Sequence, residues 1–261
     1  MKPKPSGTVR KAFQLLDELS RAGGELAARD LARLTGLDRT TVYRLLETLT
    51  EIGVVAREPA TAHYRLGLRT LDYANGALDM LEVHRVAVSH LIDLEREIIL
   101  DRVEMDCNIF VAVLDGPEVV LVEIGRTRSV FAPIGGRMRF PASASAAGRC
   151  MLAYMPEAQR ERFLSDLPLE ARTPRTLTTR EEIEQRLEHI RSVGYDVSDR
   201  EVFTDLVAVA VPVLGRTGSA LASIGVSGPA MTTSLDKLIE RFADKLLVAA
   251  QRTGLALRHR D

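Results

Sequence analysis

The sequence has only two cysteines in 261 residues, Cys107 and Cys150. Two cannot make a disulfide framework, and they are not spaced as a metal-ligand pair, so the chain fits a reducing compartment. Long apolar runs are missing as well. The longest nearly apolar stretch, Leu206–Leu214, has nine residues, whereas a membrane-spanning helix needs about 20. No apolar segment follows the basic start MKPKPSGTVRK, so no signal peptide is expected and the cytoplasm is the expected location. Catalytic signatures are equally scarce. Gly225-Val226-Ser227-Gly228 is one residue short of a nucleophile elbow, and there is no phosphate-binding loop, dinucleotide fingerprint or H-E-x-x-H. The histidines, His63, His84, His90, His189 and His259, show no ligand spacing; His84 and His90, six apart, fall on different sides of a helix. No catalytic residue, metal, cofactor or membrane partner is expected.

What is present suits a soluble globular protein. Hydrophobic residues make up 46% and charged residues 27%, enough apolar side chain to exclude disorder as the main state. At roughly 100–200 residues per domain, the length allows one large domain or two small ones. The net charge of −1 hides an asymmetry. Residues 1–68 carry eleven Lys/Arg against eight Asp/Glu, a net of +3, while the remainder carries 24 against 28, a net of −4. A mildly basic front suits a polyanionic partner, provided a motif lies beneath it.

Such a motif is there. Val9, Ala12, Phe13, Leu15, Leu16 and Leu19 recur at helical spacing, predicting a helix over 8–21 that ends at Gly23-Gly24. A second helix is predicted over 28–35, then a tight turn at Gly36-Leu37. Asp38 is a good N-cap for a third helix over 39–52, stopped by Gly53. Helix, short glycine turn and helix make a helix-turn-helix. At about 100° per residue, Val42, Leu45, Leu46, Leu49 and Ile52 share one face of the third helix. The opposite face carries Thr40, Tyr43, Arg44 and Glu47, with Arg39 and Thr41 near its start. A forked cation, hydroxyls and a phenol suit base edges and phosphates in a DNA groove. An ordinary solvated helix face is the alternative for this helix taken alone. The next segment weighs against that alternative. Residues 54–58 and 63–66 read as two short strands around a turn at 59–62. A hairpin directly after such a helix is a wing, with Arg57, His63 and Arg65 placed for the sugar-phosphate backbone.

The front segment, with its LA–TGL–TVYRLLETL core and the YRLG that closes the wing, resembles the DNA-binding domain of the IclR family of bacterial transcriptional regulators. The second half resembles the same family in order and spacing. GRMRFPASASAAGRCMLAYMP is similar to its glycine–proline–small-residue–AAGK–LLA segment, and IRSVGYDVSDREV, VAVAVPV and ASIGVSGP follow. The resemblance implies an α+β protein with an N-terminal winged helix-turn-helix over 1–67 and a linker helix over 68–82. Beyond it, 83–261 would form a GAF-like effector-binding and oligomerisation domain with a curved antiparallel sheet. It implies double-stranded, pseudo-palindromic operator DNA as one partner and a small organic effector, a carboxylate or aromatic acid, as another. It also implies a homodimer or dimer of dimers, more often repressing than activating. The other two readings are an enzyme, or a protein-binding module, carrying an accessory winged helix. Salt-dependent binding to promoter DNA separates the first reading from both.

The second half reads as α+β from its residues too. Helices are predicted over 83–98, 146–155, 156–164, 179–193 (opened by the capping box Thr179-Arg180-Glu181-Glu182) and 233–253. Strands are predicted over 109–114, 119–124, 207–213 and 221–227, without regular βαβ alternation. The small residues 143–148 precede a helix, where a ligand can approach the backbone and an anion can meet free N–H groups. Carried over from the family by position, the effector contacts fall on Ala146, Ala147, Ser198, Asp199, Ala208, Gly225 and Ser227. The chain departs from the family at Asp205, where a glycine is frequent, at Ala208, where a cysteine is, and at Gly225, where a serine is. The last two departures remove polar contacts, so a less polar and roomier pocket is expected. Arg126, Arg128, Arg137 and Arg139 stand ahead of the pocket segment as candidate carboxylate partners or as solvated cations.

Overall fold

The computed structural model describes residues 5–100, 107–127, 139–167 and 169–258. The chain divides into two compact units, Met1–Met80 and Leu81–Asp261.

The first unit holds α1 (Gly7–Ala22), α2 (Ala28–Thr35), α3 (Arg39–Glu51), β1 (Val55–Arg57), β2 (Tyr64–Leu66) and α4 (Arg69–Asp79). Local signals set the helix ends. Gly23, Gly36 and Gly53 take φ of 61°, 69° and 77°, the left-handed conformation that glycine adopts without a Cβ clash. Asp38 Oδ1 accepts the Thr41 N–H at 2.8 Å. The side-chain and backbone hydrogen bonds from Thr41 hold the Asp38 carboxyl below its ordinary pKa, so the cap stays ionised. Leu15 and Leu19 pack with Leu31, Val42, Leu45, Leu46, Leu49, Val55 and Tyr64 into one core. Three apolar residues of the expected faces stay outside it: Val9, Phe13 and Ile52, the C-cap of α3, are exposed. The β1–β2 hairpin gains a third edge through a bridge between Leu26 and Tyr64. The helix expected over 68–82 is present as α4, Arg69–Asp79, and its last expected residue, Glu82, opens the next helix.

The second unit holds α5 (Glu82–Leu100), β3 (Cys107–Asp115), β4 (Glu118–Thr127), β5 (Arg139–Pro141), α6 (Ala146–Ala153), α7 (Glu157–Asp166), α8 (Arg180–Val193), β6 (Asp196–Asp199), β7 (Leu206–Leu214), β8 (Ala220–Pro229) and α9 (Leu235–Arg258). Six strands form one antiparallel sheet in the order β5-β4-β3-β8-β7-β6. Alternation along the strands makes two apolar faces. Ile109, Val111, Val209, Val211, Ile224 and Val226 pack on α5 and α9 through residues such as Leu91 and Phe242. Phe110, Ala112 and Ala210 face the other way, toward α6 and α8. Both faces are covered, which is why β3 and β7 read as nearly continuous apolar runs. The capping box at Thr179 and Glu182 forms as expected, and Gly194 closes α8. Two short strands, β5 and β6, were not anticipated; each has too few residues to show an alternation. Among the described residues, no helix is long and apolar enough to cross a membrane.

Candidate functional site

In the first unit, α3 presents Arg39, Thr40, Tyr43, Arg44 and Glu47 as exposed residues, while Thr41 is half-buried beneath them. Other arginines nearby are engaged: Arg21 with Glu18, and Arg29 and Arg33 with Asp30 at 3.8 Å. Arg39, Arg44, Arg57 and Arg65 make no ion pair among the described residues. Their charge is therefore available to an outside anion. Arg57 lies over the Tyr64 ring, 5.8 Å from its centroid, and Arg65 reaches only the Leu66 carbonyl at 3.5 Å. The buried Tyr64 thus orients one wing arginine at low conformational freedom.

The second unit contains a cavity between the sheet and the start of α6. It is small, with about 70 Å³ of free volume. Register places its residues in rows. Ser198, Ala208, Ser227 and Asn108 stand side by side on β6, β7, β8 and β3, and Arg126 follows on β4. The next row on the same face is Asp196, Ala210, Gly225, Phe110 and Ile124. Phe140, Leu121, Val202 and Leu206 complete the apolar wall. Ser145 caps α6 by accepting the Gly148 N–H at 3.1 Å. Ala146 and Ala147 line the cavity in the first turn, where N–H groups have no partner within the helix. Gly148 is required by packing, since a Cβ there would meet the Ala142 carbonyl oxygen at 2.3 Å.

Of the seven residues expected to contact an effector, Ala146, Ala147, Ser198, Ala208 and Ser227 line this cavity. Asp199 and Gly225 do not. Asp199 follows Ser198 on β6, so alternation turns it to the other face, where it pairs with Arg175 and with Arg200 at 3.2 Å. Gly225 is covered by the Phe110 ring. The room expected from the missing serine side chain is therefore filled, although the wall is apolar as expected. Among the four arginines, Arg139 is engaged by Asp115 at 2.7 Å and Glu118 at 3.5 Å. Arg128 and Arg137 lie outside the described residues, as does the Arg126 side chain.

The largest residue missed by sequence reasoning is Arg149, fully buried in α6. Its guanidinium donates to Asp196 and Glu201 at 2.6 Å each, and to the Ser143 and Val197 carbonyls at 2.8 Å each. Arg186 adds a contact to Asp196 at 3.3 Å. Burial pushes the Glu201 carboxyl above its ordinary pKa, opposed by Arg149. For Arg149, burial is outweighed by the two carboxylates and its pKa rises further. One side chain thereby ties α6 to the strand that carries Ser198 and to the loop that carries Val202. Phe110, Asn108 and Phe140 were also missed; their convergence depends on strand register. Cys150 is buried, and burial drives its thiol well above the ordinary value, so it is no nucleophile.

Known proteins show the same organisation. Residues 76–254 match the family model for the bacterial transcriptional regulator IclR C-terminal domain, and residues 8–59 match the IclR helix-turn-helix domain. The chain is 30% identical over 92% of its length, and 92% of the relative's, to a Cupriavidus necator protein named "Probable transcriptional regulator SauR". It superimposes on the IclR structure of Thermotoga maritima with a TM-score of 0.77 at 25% identity, covering 96% of this chain and 98% of that one. It shares its fold with an IclR homologue of Microbacterium hydrocarbonoxydans complexed with 4-hydroxybenzoate, at 23% identity and a TM-score of 0.75, covering 96% and 99%.

Proposed function

The chain belongs to the IclR family of bacterial transcriptional regulators, and we propose that it is an operator-binding regulator in the cytoplasm whose DNA affinity is set by a small organic acid. The observation that carries the DNA half is the set Arg39, Arg44, Arg57 and Arg65 on one helix and its wing, none in an ion pair among the described residues. Arg44 and Thr40 read base edges or adjoining phosphates, Arg39, Thr41 and Tyr43 support them, and Arg57 and Arg65 follow the backbone. The acid's carboxylate meets the first turn of α6 at Ala146 and Ala147 together with Ser198 and Ser227, and Ala208 leaves it room. The 4-hydroxybenzoate held by a relative of the same fold favours an acid of that size. Repression, the commoner mode among members, is the proposed direction.

Arg44→Ala is expected to cost about 1–3 kcal/mol of specific binding if the arginine reads a base. Arg57→Ala is expected to weaken binding to all sequences alike and to flatten the salt dependence. Electrophoretic shifts with upstream and scrambled DNA check both. Arg44→Ala binding the operator as tightly as the wild type would show that α3 does not read it.

We also propose a homodimer or dimer of dimers. None of the α4 residues is buried, and Leu68 and Met80 at its ends are 76% and 84% exposed, with Leu71 and Tyr73 open between them. Phe13 of α1 is likewise 60% exposed. Apolar surface of this extent in one small unit suits a self-complementary contact, and a two-fold assembly suits a pseudo-palindromic site. Light scattering at micromolar concentration is expected to give at least twice the chain mass. A monomer that binds the operator undiminished would refute the assembly.

A further inference from the structure

The exposed side of α3 carries anions as well as cations: Glu47 and Glu51 are as open as Arg39 and Arg44. The ion pairs of the first unit join Arg21 to Glu18, and Arg29 and Arg33 to Asp30; neither Glu47 nor Glu51 is in one among the described residues. A carboxylate set against a polyanion weakens binding unless a donor meets it. We infer that Glu47 is a specificity residue of the DNA-binding surface. Its carboxylate accepts a hydrogen bond from the N4 amino group of a cytosine, one base pair along from the pair that Arg44 contacts, and disfavours other bases there. This rests on the reading of α3 as the helix in the major groove.

Helix stability does not account for these carboxylates. The N-terminal end of a helix favours anions and the C-terminal end favours cations. α3 has no acidic residue in its first turn and no basic residue in its last. Its cations, Arg39 and Arg44, come before its anions, Glu47 and Glu51, and only the cap Asp38, just outside the helix, follows the dipole. A cation ahead of an anion is also the weaker order for a pair on one helix face. Placement points to the groove instead. At about 100° per residue, Glu47 falls within about 20° of Thr40, 40° of Tyr43 and 60° of Arg44, inside the exposed face. It lies three residues beyond Arg44, about 4.5 Å along the axis, against about 3.4 Å per base pair. The pair it meets is therefore the next one. Major-groove chemistry then selects the base. Guanine presents two acceptors there, thymine an acceptor and a methyl, adenine a donor beside an acceptor, and cytosine a donor alone. An ionised carboxylate only accepts, so cytosine suits it, and the acceptors of the other three bases repel it.

Selection of bound duplexes from a random pool by the full chain tests the assignment, with the wild type beside Glu47→Ala, Glu47→Gln and Arg44→Ala. The wild-type consensus is expected to hold a C·G pair next to the pair whose preference Arg44→Ala erases. Glu47→Ala is expected to lose the preference at that C·G pair alone. Glu47→Gln is expected to move it toward adenine, because a carboxamide both donates and accepts. Fluorescence anisotropy on the selected duplex gives the size. Replacing the C·G pair by T·A should cost the wild type about tenfold and Glu47→Ala less than about twofold. Glu47→Ala should also bind a scrambled duplex about twofold more tightly than the wild type, since a repelling charge is gone. The position is exposed and alanine is a strong helix former, so both variants should fold, which circular dichroism checks. A consensus that both Glu47 variants leave unchanged while Arg44→Ala alters it sinks the role of Glu47 and keeps α3 as the reading helix. Glu47→Ala weakening every duplex alike, scrambled included, sinks that role too. A consensus unchanged by all three variants, or no enrichment by the wild type, sinks the placement of α3 itself.

Discussion

Arg149→Met is expected to destabilise the protein by about 3–5 kcal/mol, because it removes one partner of a buried ion cluster and leaves the others in place. Asp196 and Glu201 would remain buried with Arg186, at 3.3 and 4.0 Å, as the one remaining cation paired with them among the described residues. Two backbone carbonyls, of Ser143 and Val197, would lose their donor as well. Methionine matches the apolar stem of arginine, so the loss reports the charge and hydrogen bonds rather than a cavity. The deficit depends on pH in a defined sense. Burial already raises the Glu201 pKa above its unfolded value, and removal of Arg149 raises it further. A carboxyl that holds its proton more tightly when folded favours the folded state as pH falls. The gap between variant and wild type should therefore narrow as the pH is lowered from 8 toward 5. Urea unfolding at both pH values measures it. A variant within about 1 kcal/mol of wild type at pH 8 would mean the cluster contributes little. Arg149→Lys should recover part of the loss, since an ammonium keeps the charge but cannot span four acceptors.

Ala147→Leu is expected to abolish the response to effector while leaving operator affinity near that of the wild type. Ala147 is buried in the first turn of α6 and lines the cavity. A leucine there puts bulk where a ligand must approach the backbone and changes no charge. A ligand shifts DNA affinity only by binding one conformation better than another, so a ligand that cannot enter shifts nothing. Operator binding is titrated with and without small organic acids, benzoate and pyruvate among them. A folded variant that binds the operator and still responds at wild-type concentrations would show that the effector does not bind in this cavity. Overpacking alone can cost about 1–3 kcal/mol, so circular dichroism and a melting curve accompany the titration.

Much of this was legible from residues that act locally. Asp38, Gly36, Thr179 with Glu182, and Gly194 mark helix ends through hydrogen bonds and dihedral angles spanning a few residues, and the helices they bound fell where expected. The wing was legible because its turn and strands are adjacent in the chain. Partners far apart in sequence were not. Arg149 has the look of a solvated helix cation until Asp196 and Glu201 arrive from another element. Phe110 is one more apolar strand residue until register sets it on Gly225. Asp199 and Ser198 are neighbours in the chain, and only the pairing of β6 with β7 decides which one faces the cavity. Periodicity also showed that Val9 and Phe13 share a face with Leu16, without showing that one copy of the chain leaves them uncovered.

Fluorescence anisotropy with the intergenic DNA upstream of the chain's own gene tests whether α3 and the wing bind DNA as an electrostatic and sequence-reading surface. The full chain is titrated at several salt concentrations, beside an Arg57→Ala variant and a scrambled duplex. Binding to the upstream DNA is expected to be tighter than to the scrambled duplex. The logarithm of affinity should fall linearly with the logarithm of salt, and Arg57→Ala should lower that slope by about 1. Equal affinity for both duplexes, or an affinity indifferent to salt and to Arg57, would contradict that role of α3 and the wing.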